Sequence, residues 1–217
     1  MPQSQLIIGP QLASDGATPA QRGGRFGEII TSSLHGKYYE QCSRGNVFIG
    51  STATGGLALL ALATSGNNPL LWNPYGSGVN LSVIKLTLSY VSGTCSVGSV
   101  VWATVTPAGS TPATASPIAT ATQVLPVSAL VGGGIKSKTL WAPAVNTFTT
   151  TAPVFLMSTG IALNAMASTS TNEPWVNTVE SDGVLVVAPG NAITVGFSTT
   201  TTTALFQVAI MWEEIPV

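Results

Sequence analysis

Hydrophobic and polar residues alternate through most of this chain with the two-residue period that is typical of β-strands with one buried face. The clearest case is residues 204–213, where alternate apolar side chains share one face: Phe206, Val208, Ile210 and Trp212. Residues 79–90 alternate in the same way, but the phase changes at Val83 and Ile84. That change predicts a β-bulge within a long strand.

Further short alternating runs are separated by Gly, Pro or Asn. They predict strands over residues 46–50, 57–64, 98–106, 118–125, 147–155, 161–167, 183–188 and 192–198. Pro189 and Gly190 predict a tight turn that joins the last two strands as a hairpin. Helix signals are nearly absent, so we expect an all-β fold, a jelly-roll-like β-sandwich.

The N-terminal segment has a different character. Residues 1–24 are rich in Pro and Gly, a composition that interrupts regular structure and suits an extended arm. Residues 25–46 mix charged and aromatic side chains, which suits a short strand or a helical turn. We therefore divide the chain into an N-terminal arm, residues 1–45, and a sandwich domain, residues 46–217.

Charge is scarce and unevenly distributed. Charged residues make up 7% of the 217 residues, against about a quarter in an ordinary domain. Lys85, Lys136 and Lys138 are the only charged residues between positions 45 and 172, and the last fifth of the chain carries only acids. Such a surface must be solvated by hydroxyl and backbone groups or covered by protein, which indicates a subunit of a large assembly. The lysines either contact an acidic face, within or between subunits, or are simply solvated.

Several functional classes are disfavoured by the composition. The net charge of -1 and the absence of clustered Lys or Arg predict no nucleic-acid partner. The longest apolar run, residues 57–63, is far shorter than the roughly 20 residues of a membrane-spanning helix, and the start of the chain lacks the features of a signal peptide. Cys42 and Cys95 are far apart and are accompanied by a single histidine, so we expect two free thiols, no metal site and no cofactor.

Candidate catalytic groups are few. His35 is the only imidazole and lies near Lys37 and Glu40, so we interpret it as a structural or interface residue rather than part of a triad. Glu213 and Glu214 are adjacent and must point to opposite faces of a strand, so we expect solvated or interface acids rather than a catalytic pair. The chain is therefore not predicted to be an enzyme.

Aromatic residues offer one candidate binding site. Trp72 and Tyr75 flank Pro74 in a predicted loop, and Asn73 lies between them. Exposed aromatic rings with a nearby amide suit either a glycan or a protein interface, and both possibilities stay open. Trp102 and Trp212 lie in predicted strands and are expected in the core.

Three segments, residues 24–48 (GRFGEIITSSLHGKYYEQCSRGNVF), 71–94 (LWNPYGSGVNLSVIKLTLSYVSGT) and 206–217 (FQVAIMWEEIPV), resemble small structural proteins of tailed bacteriophages, especially head decoration or cement proteins. The resemblance implies a homotrimeric jelly-roll-like body on the outer capsid surface of the virion, after synthesis in the host cytoplasm. Its partner would be the major capsid protein, clamped by the N-terminal arm. The implied capsid contacts are Arg22, Arg25, Phe26, Glu28, His35, Lys37, Tyr38 and Tyr39.

Two other classes of protein share the expected fold. One is a phage tail-fibre or receptor-binding module that binds host-surface glycans through loop aromatics, and the other is a secreted lectin-like domain. A fibre is expected to show a long shaft or sequence repeats, and this chain has no repeat with a period of 20 to 50 residues.

Overall fold

The computed structural model describes residues 36–62, 65–105, 124–147, 153–163, 176–199 and 203–217. The chain divides into two compact units, Met1–Glu40 and Gln41–Val217. Residues 1–35, which make up most of the predicted arm, lie outside the described residues. A short helix α1, Tyr39–Ser43, is followed by the strands of the larger unit.

The described residues form eleven strands. In chain order these are β1 (Val47–Ser51), β2 (Ser65–Asn73), β3 (Val79–Ser92), β4 (Gly98–Thr104), β5 (Val127–Ser128), β6 (Leu140–Thr147), β7 (Val154–Leu163), β8 (Val176–Glu180), β9 (Val186–Val187), β10 (Asn191–Phe197) and β11 (Leu205–Pro216). The first sheet has the order β5-β1-β11-β3-β8, with β9 also paired to β3. The second sheet has the order β6-β2-β10-β4-β7, and neighbouring strands in both sheets are antiparallel.

This strand order confirms the predicted jelly-roll-like sandwich. Strands β1, β11, β3 and β8 form one four-stranded layer, and β2, β10, β4 and β7 form the other. The chain changes layer at each step from β1 through β2 and β3 to β4. It changes layer again from β7 to β8, from β9 to β10 and from β10 to β11, as expected for a jelly roll. The additional strands β5 and β6 extend the two sheets beyond β1 and β2 at the same side of the sandwich.

The core lies between the sheets and follows the predicted alternation. Phe206, Val208, Ile210 and Trp212 of β11 are all buried, and Trp102 of β4 packs in the same cluster. The predicted β-bulge in β3 is also confirmed. Met211 pairs with Lys85 and Trp212 pairs with Val83, so Ile84 is the extra residue on the β3 side.

Residues 57–64 were predicted as a strand, and the described residues 57–62 show that this prediction is wrong. Leu57 forms an isolated bridge with Phe206 of the first sheet, and Ala61 forms one with Phe197 of the second. Leu57 and Leu59 are buried in the core. The apolar run therefore crosses from one sheet to the other and closes one end of the sandwich.

Two strands were missed because each contains a proline, which argues against a strand in the sequence. Pro69 lies in β2 beside a register shift, and Pro143 lies in the edge strand β6. Both are places where a missing N–H is tolerated. The short strand β8 was also missed.

Two other boundaries differ from expectation. The strand predicted over residues 147–155 is wrong, because Thr147 belongs to β6 and residues 154–155 belong to β7, at the opposite edge of the second sheet; residues 148–152 lie outside the described residues. The strand predicted over 161–167 is in part the end of β7, while residues 118–123 and 164–167 lie outside the described residues.

The turn at Pro189 is present, but the predicted hairpin is wrong. The Asn191 N–H donates to the Ala188 carbonyl at 3.2 Å, and Gly190 has a φ of 80°, the positive value that a type II turn requires at this position. However, β9 pairs with β3 in the first sheet whereas β10 pairs with β2 and β4 in the second. The turn therefore connects the two sheets.

Two buried tryptophans differ in how their indole N–H groups are satisfied. Trp141 packs against Gly50, where an added Cβ would lie 2.5 Å from the ring, and its N–H donates to the Ser51 carbonyl at 3.0 Å. Trp212 is fully buried, yet in the described part of the chain its N–H has no acceptor. An unpaired buried donor destabilises the folded state.

We expect Trp141→Phe to lower the free energy of unfolding by about 1 kcal/mol more than Trp212→Phe. Both replacements remove the same volume, but only the first breaks a hydrogen bond, while the second removes an unsatisfied donor. Urea denaturation of the two variants beside the wild type measures the difference. An equal loss, or a larger loss for Trp212→Phe, would contradict this account of the two indole groups.

Candidate functional site

Three residues of the N-terminal site predicted from the sequence can be located. Lys37 and Tyr38 lie in a turn before α1, and the Lys37 Nζ is 5.1 Å from the centroid of the Tyr38 ring. Tyr39 begins α1, is 50% exposed, and its amide donates to the Gly36 carbonyl at 3.0 Å. The remaining candidates lie outside the described residues: Arg22, Arg25, Phe26, Glu28 and His35.

The predicted aromatic loop is wrong for two of its three residues. Trp72 and Asn73 end strand β2, and they are 2% and 0% exposed, respectively. Trp72 belongs to a second apolar cluster with Leu70 and Ala192. Leu71 is in the intersheet core and adjacent side chains alternate, so this cluster lies on the outer face of the second sheet. Only Tyr75, at 56% exposure, is presented to solvent.

Asn73 has a structural role that explains its burial. Its side-chain Nδ2 donates to the carbonyls of Val79 and Val187, both at 2.8 Å. Its Oδ1 accepts a hydrogen bond from Ser77 Oγ at 2.5 Å. The amide thus ties the end of β2 to the start of β3 and to β9, and it is not available to a ligand.

The described residues contain one buried carboxylate, Glu214, which is 6% exposed. Ser137 Oγ donates to its Oε1 at 2.5 Å, and Thr139 Oγ1 is 3.2 Å from the same oxygen. The backbone N–H of Lys138 donates to both carboxylate oxygens, at 3.1 and 3.2 Å. A buried carboxylate needs hydrogen-bond donors, and here the loop between β5 and β6 supplies them. These hydrogen bonds tie the loop to β11.

This contradicts the expectation that Glu214 is a solvated or interface acid. The two glutamates do point to opposite faces, because Glu213 is partly exposed while Glu214 is buried. Burial raises the pKa of the Glu213 carboxyl. The Ser137 and Thr139 hydroxyl groups both donate to the Glu214 carboxylate, which holds the loop in place.

Both cysteines are free thiols with raised pKa values. Burial raises the pKa of Cys42, and the negative charge of Glu213 raises it further. Burial also raises the pKa of Cys95. The thiols therefore stay protonated at neutral pH, which is the unreactive form. Among the described residues, no group of three or more His, Cys, Asp or Glu could hold a metal ion.

Exposed apolar side chains cluster at the side of the sandwich formed by β7 and β8. Strand β7 exposes four consecutive apolar side chains, each at least 40% accessible: Val154, Phe155, Leu156 and Met157. Val176 of β8 and Val184 and Val186 near β9 are 65%, 75% and 57% exposed. We call these seven residues the β7–β8 edge. Leu156 also lines a cleft of about 220 Å³ with the segment 185–188.

The opposite side of the sandwich is also apolar. The exposed side chains around β5 and in the loop from β5 to β6, here called the β5–β6 edge, are Val124, Leu125, Val127, Val131 and Ile135. Val131 is 89% exposed, at the start of an ordered turn in which the Gly133 N–H donates to the Leu130 carbonyl. Exposed apolar patches of this kind mark interaction sites.

Neither edge was identified from the sequence. In β7 the exposed residues are consecutive, so they do not follow the alternation that marks a half-buried strand.

A shallow depression of about 270 Å³ on the first sheet is different, because it is lined mainly by small and hydroxyl-bearing side chains, among them Ser51, Thr87, Ser89 and Gln207. The residues lining this depression include no aromatic side chain. It therefore lacks the flat apolar platform on which sugar rings stack.

Comparison of this chain with protein-family models, with curated proteins and with solved structures gives no match. Within the described residues, no helix has the length and apolar character needed to cross a lipid bilayer.

We expect Glu214→Gln to lower the free energy of unfolding by about 2 kcal/mol, because it replaces charge-assisted hydrogen bonds in a buried site. The matched control is Glu213→Gln. Burial raises the folded-state pKa of Glu213, so ionisation of this carboxyl favours the unfolded chain. The stability associated with its protonated form is present at low pH and is lost as the pH rises through the folded-state pKa.

At pH 7 the control is therefore expected to leave stability unchanged or slightly higher. Thermal and urea unfolding of both variants checks the pair. A similar loss for the two variants would show that the hydrogen bonds of Glu214 are not the cause.

Proposed function

We propose that this chain is a structural protein of a tailed-bacteriophage virion that binds the outer surface of the capsid and stabilises the shell by bridging capsid subunits. The observation that carries the proposal is the combination of a jelly-roll sandwich, a surface almost without charge and two exposed apolar edges. Exposed apolar side chains are unfavourable in water, and covering them with another protein lowers the free energy.

The resemblance of three sequence segments to head decoration proteins supports the choice of assembly. Under this proposal the sandwich forms a homotrimer, and the N-terminal arm contacts the major capsid protein. The capsid contacts would come from the residues named above, of which Lys37, Tyr38 and Tyr39 lie at or just before helix α1. Tyrosine is enriched at protein interfaces, and Tyr39 is 50% exposed. The Lys37 ammonium lies over the Tyr38 ring, where a cation–π interaction holds it.

The mechanism is thermodynamic and requires no catalysis. A protein that binds the assembled shell, but not its separated subunits, shifts the equilibrium toward the assembled state. Each decoration subunit that spans a junction between capsid subunits therefore opposes their separation. The free energy gained grows with the logarithm of the free protein concentration divided by its dissociation constant.

The alternative is a tail-fibre or receptor-binding module that binds host-surface glycans. One observation favours it, the exposure of Tyr75 in the turn between β2 and β3. The burial of Trp72 removes its other predicted ring, so the site would offer a single aromatic platform.

We expect quantitative mass spectrometry of purified particles to give a copy number comparable with that of the major capsid protein. A decoration protein covers the whole shell, whereas a fibre is present in a few copies. A few copies per particle would favour the alternative, and absence from particles would contradict both virion roles.

Deletion of residues 1–40 is expected to leave a folded sandwich that no longer binds capsids, because the deletion removes one compact unit and retains both sheets. Co-sedimentation with capsids lacking the protein measures binding, and circular dichroism measures folding. Tyr75→Ala serves as the control, and it should bind capsids as the wild type does. A truncated protein that still decorates particles would contradict the role of the arm, and loss of glycan binding by Tyr75→Ala would support the alternative.

A further inference from the structure

The two apolar edges lie on opposite sides of one sandwich and are built alike. Each edge combines the outermost strand of the first sheet with the outermost strand of the second: β5 with β6 on one side, and β8 with β7 on the other. Each sheet is five strands wide along this direction, so four strand spacings place the two edges about 19 Å apart. Contact between the two edges therefore requires two copies of the chain.

Strand β7 lacks the features that normally prevent edge strands from associating. Edge strands are usually protected by charged residues, proline or short length. Val154–Leu163 is ten residues long and contains no charged residue and no proline. Its only strand partner in the described structure is β4, on its other side. An unprotected apolar edge of this length is a surface that another strand or chain can cover.

The charges near the two edges are of opposite sign. Lys136 and Lys138 are exposed in the loop of the β5–β6 edge, and the Lys138 amide binds the buried Glu214, so the two cations outnumber this acid. At the β7–β8 edge, Glu180 and Asp182 are exposed and Lys85 lies opposite Glu180 in the sheet, so negative charge is in excess. These lysines and acids are the ones whose contact the sequence left open.

Opposite charge on opposite edges distinguishes between two ways of pairing copies. In a two-fold symmetric contact, an edge meets the same edge of its partner, and like charges are brought together at a cost. In a head-to-tail contact, the β5–β6 edge meets the β7–β8 edge, and the charges are complementary. The apolar side chains supply the driving force in either case, but only the head-to-tail contact also satisfies the charges.

We propose that the β5–β6 edge of one copy binds the β7–β8 edge of the next copy in a head-to-tail contact. The outermost strands of both sheets then lie beside those of the neighbour, so both sandwiches continue across the interface. Such contacts close into a ring when the rotation between successive copies closes. This inference deepens the proposed self-association, but it does not depend on the capsid as the partner.

The test uses two full-length variants, each blocked at one edge. Val127→Glu with Val131→Glu blocks the β5–β6 edge, and Val176→Glu with Val184→Glu blocks the β7–β8 edge, so the two blocked edges carry like charges and do not pair with each other in a mixture. All four valines are at least 64% exposed, so the substitutions should not disturb the core. Val97→Glu with Val217→Glu is the matched control, because these valines are 65% and 75% exposed and belong to neither edge.

Native mass spectrometry and sedimentation velocity should show that the wild type and the control are oligomeric, while each blocked variant has the mass of one chain. An equimolar mixture of the two blocked variants should form a heterodimer, because each contributes the one edge that the other lacks. The mixture should not grow beyond two chains.

Three results would overturn the proposal. If the wild-type protein is monomeric, its edges do not bind a second copy. A blocked variant that keeps the wild-type mass shows that the oligomer does not use that edge. Two monomeric variants that fail to combine, or a control that also dissociates, show that intact edges do not recognise each other. Each result is independent of the copy number on capsids, so the two proposals can fail separately.

Discussion

The packing of the two sheets through their inner faces is the interaction on which the rest of the structure depends. Strand β11 is central to it, because it pairs with β1 on one side and with β3 on the other and directs Phe206, Val208, Ile210 and Trp212 into the core. Because successive side chains point to opposite faces, a shift of β11 by one residue in its register would expose all four of these side chains. Register, bulge position and the burial of Glu214 all follow from it.

Glu214 shows what the alternation along β11 predicts and what it cannot predict. It has the same parity as Trp212, so alternation alone places it on the core side of β11. Glu213 and Glu214 were both expected to be solvated or interface acids, although this parity already predicts a core position for Glu214. The donors that make the burial tolerable, Ser137, the Lys138 amide and Thr139, are about 75 residues away in the chain. No local pattern indicates that they meet the carboxylate.

The sandwich fold explains why the exposed apolar residues lie mainly at its two sides. The core between the sheets is closed, and an apolar cluster on the outer face of the second sheet is also buried. The outer face of the first sheet has a depression lined mainly by small and hydroxyl-bearing residues. Apolar side chains that find no place inside are exposed largely along β7, β8 and the loop from β5 to β6. With little charge anywhere on the chain, these edges are the surfaces where covering by protein changes the free energy most.

The sequence by itself determined the all-β class, the strong strands β3, β4, β10 and β11, the bulge in β3 and the core positions of Trp102 and Trp212. It could do so because alternation along one strand is a local property that burial of one face imposes. It was wrong about residues 57–62, Trp72 and Asn73, and it missed the proline-containing strands β2 and β6, because these depend on contacts with distant strands. Only the tertiary structure decided which sheet each strand joined, where an apolar residue stayed exposed, and that Lys136 and Lys138 lie on the opposite edge from Glu180 and Asp182. These properties arise from pairing between segments far apart in the chain, and such pairing leaves no periodic trace in the sequence of either segment.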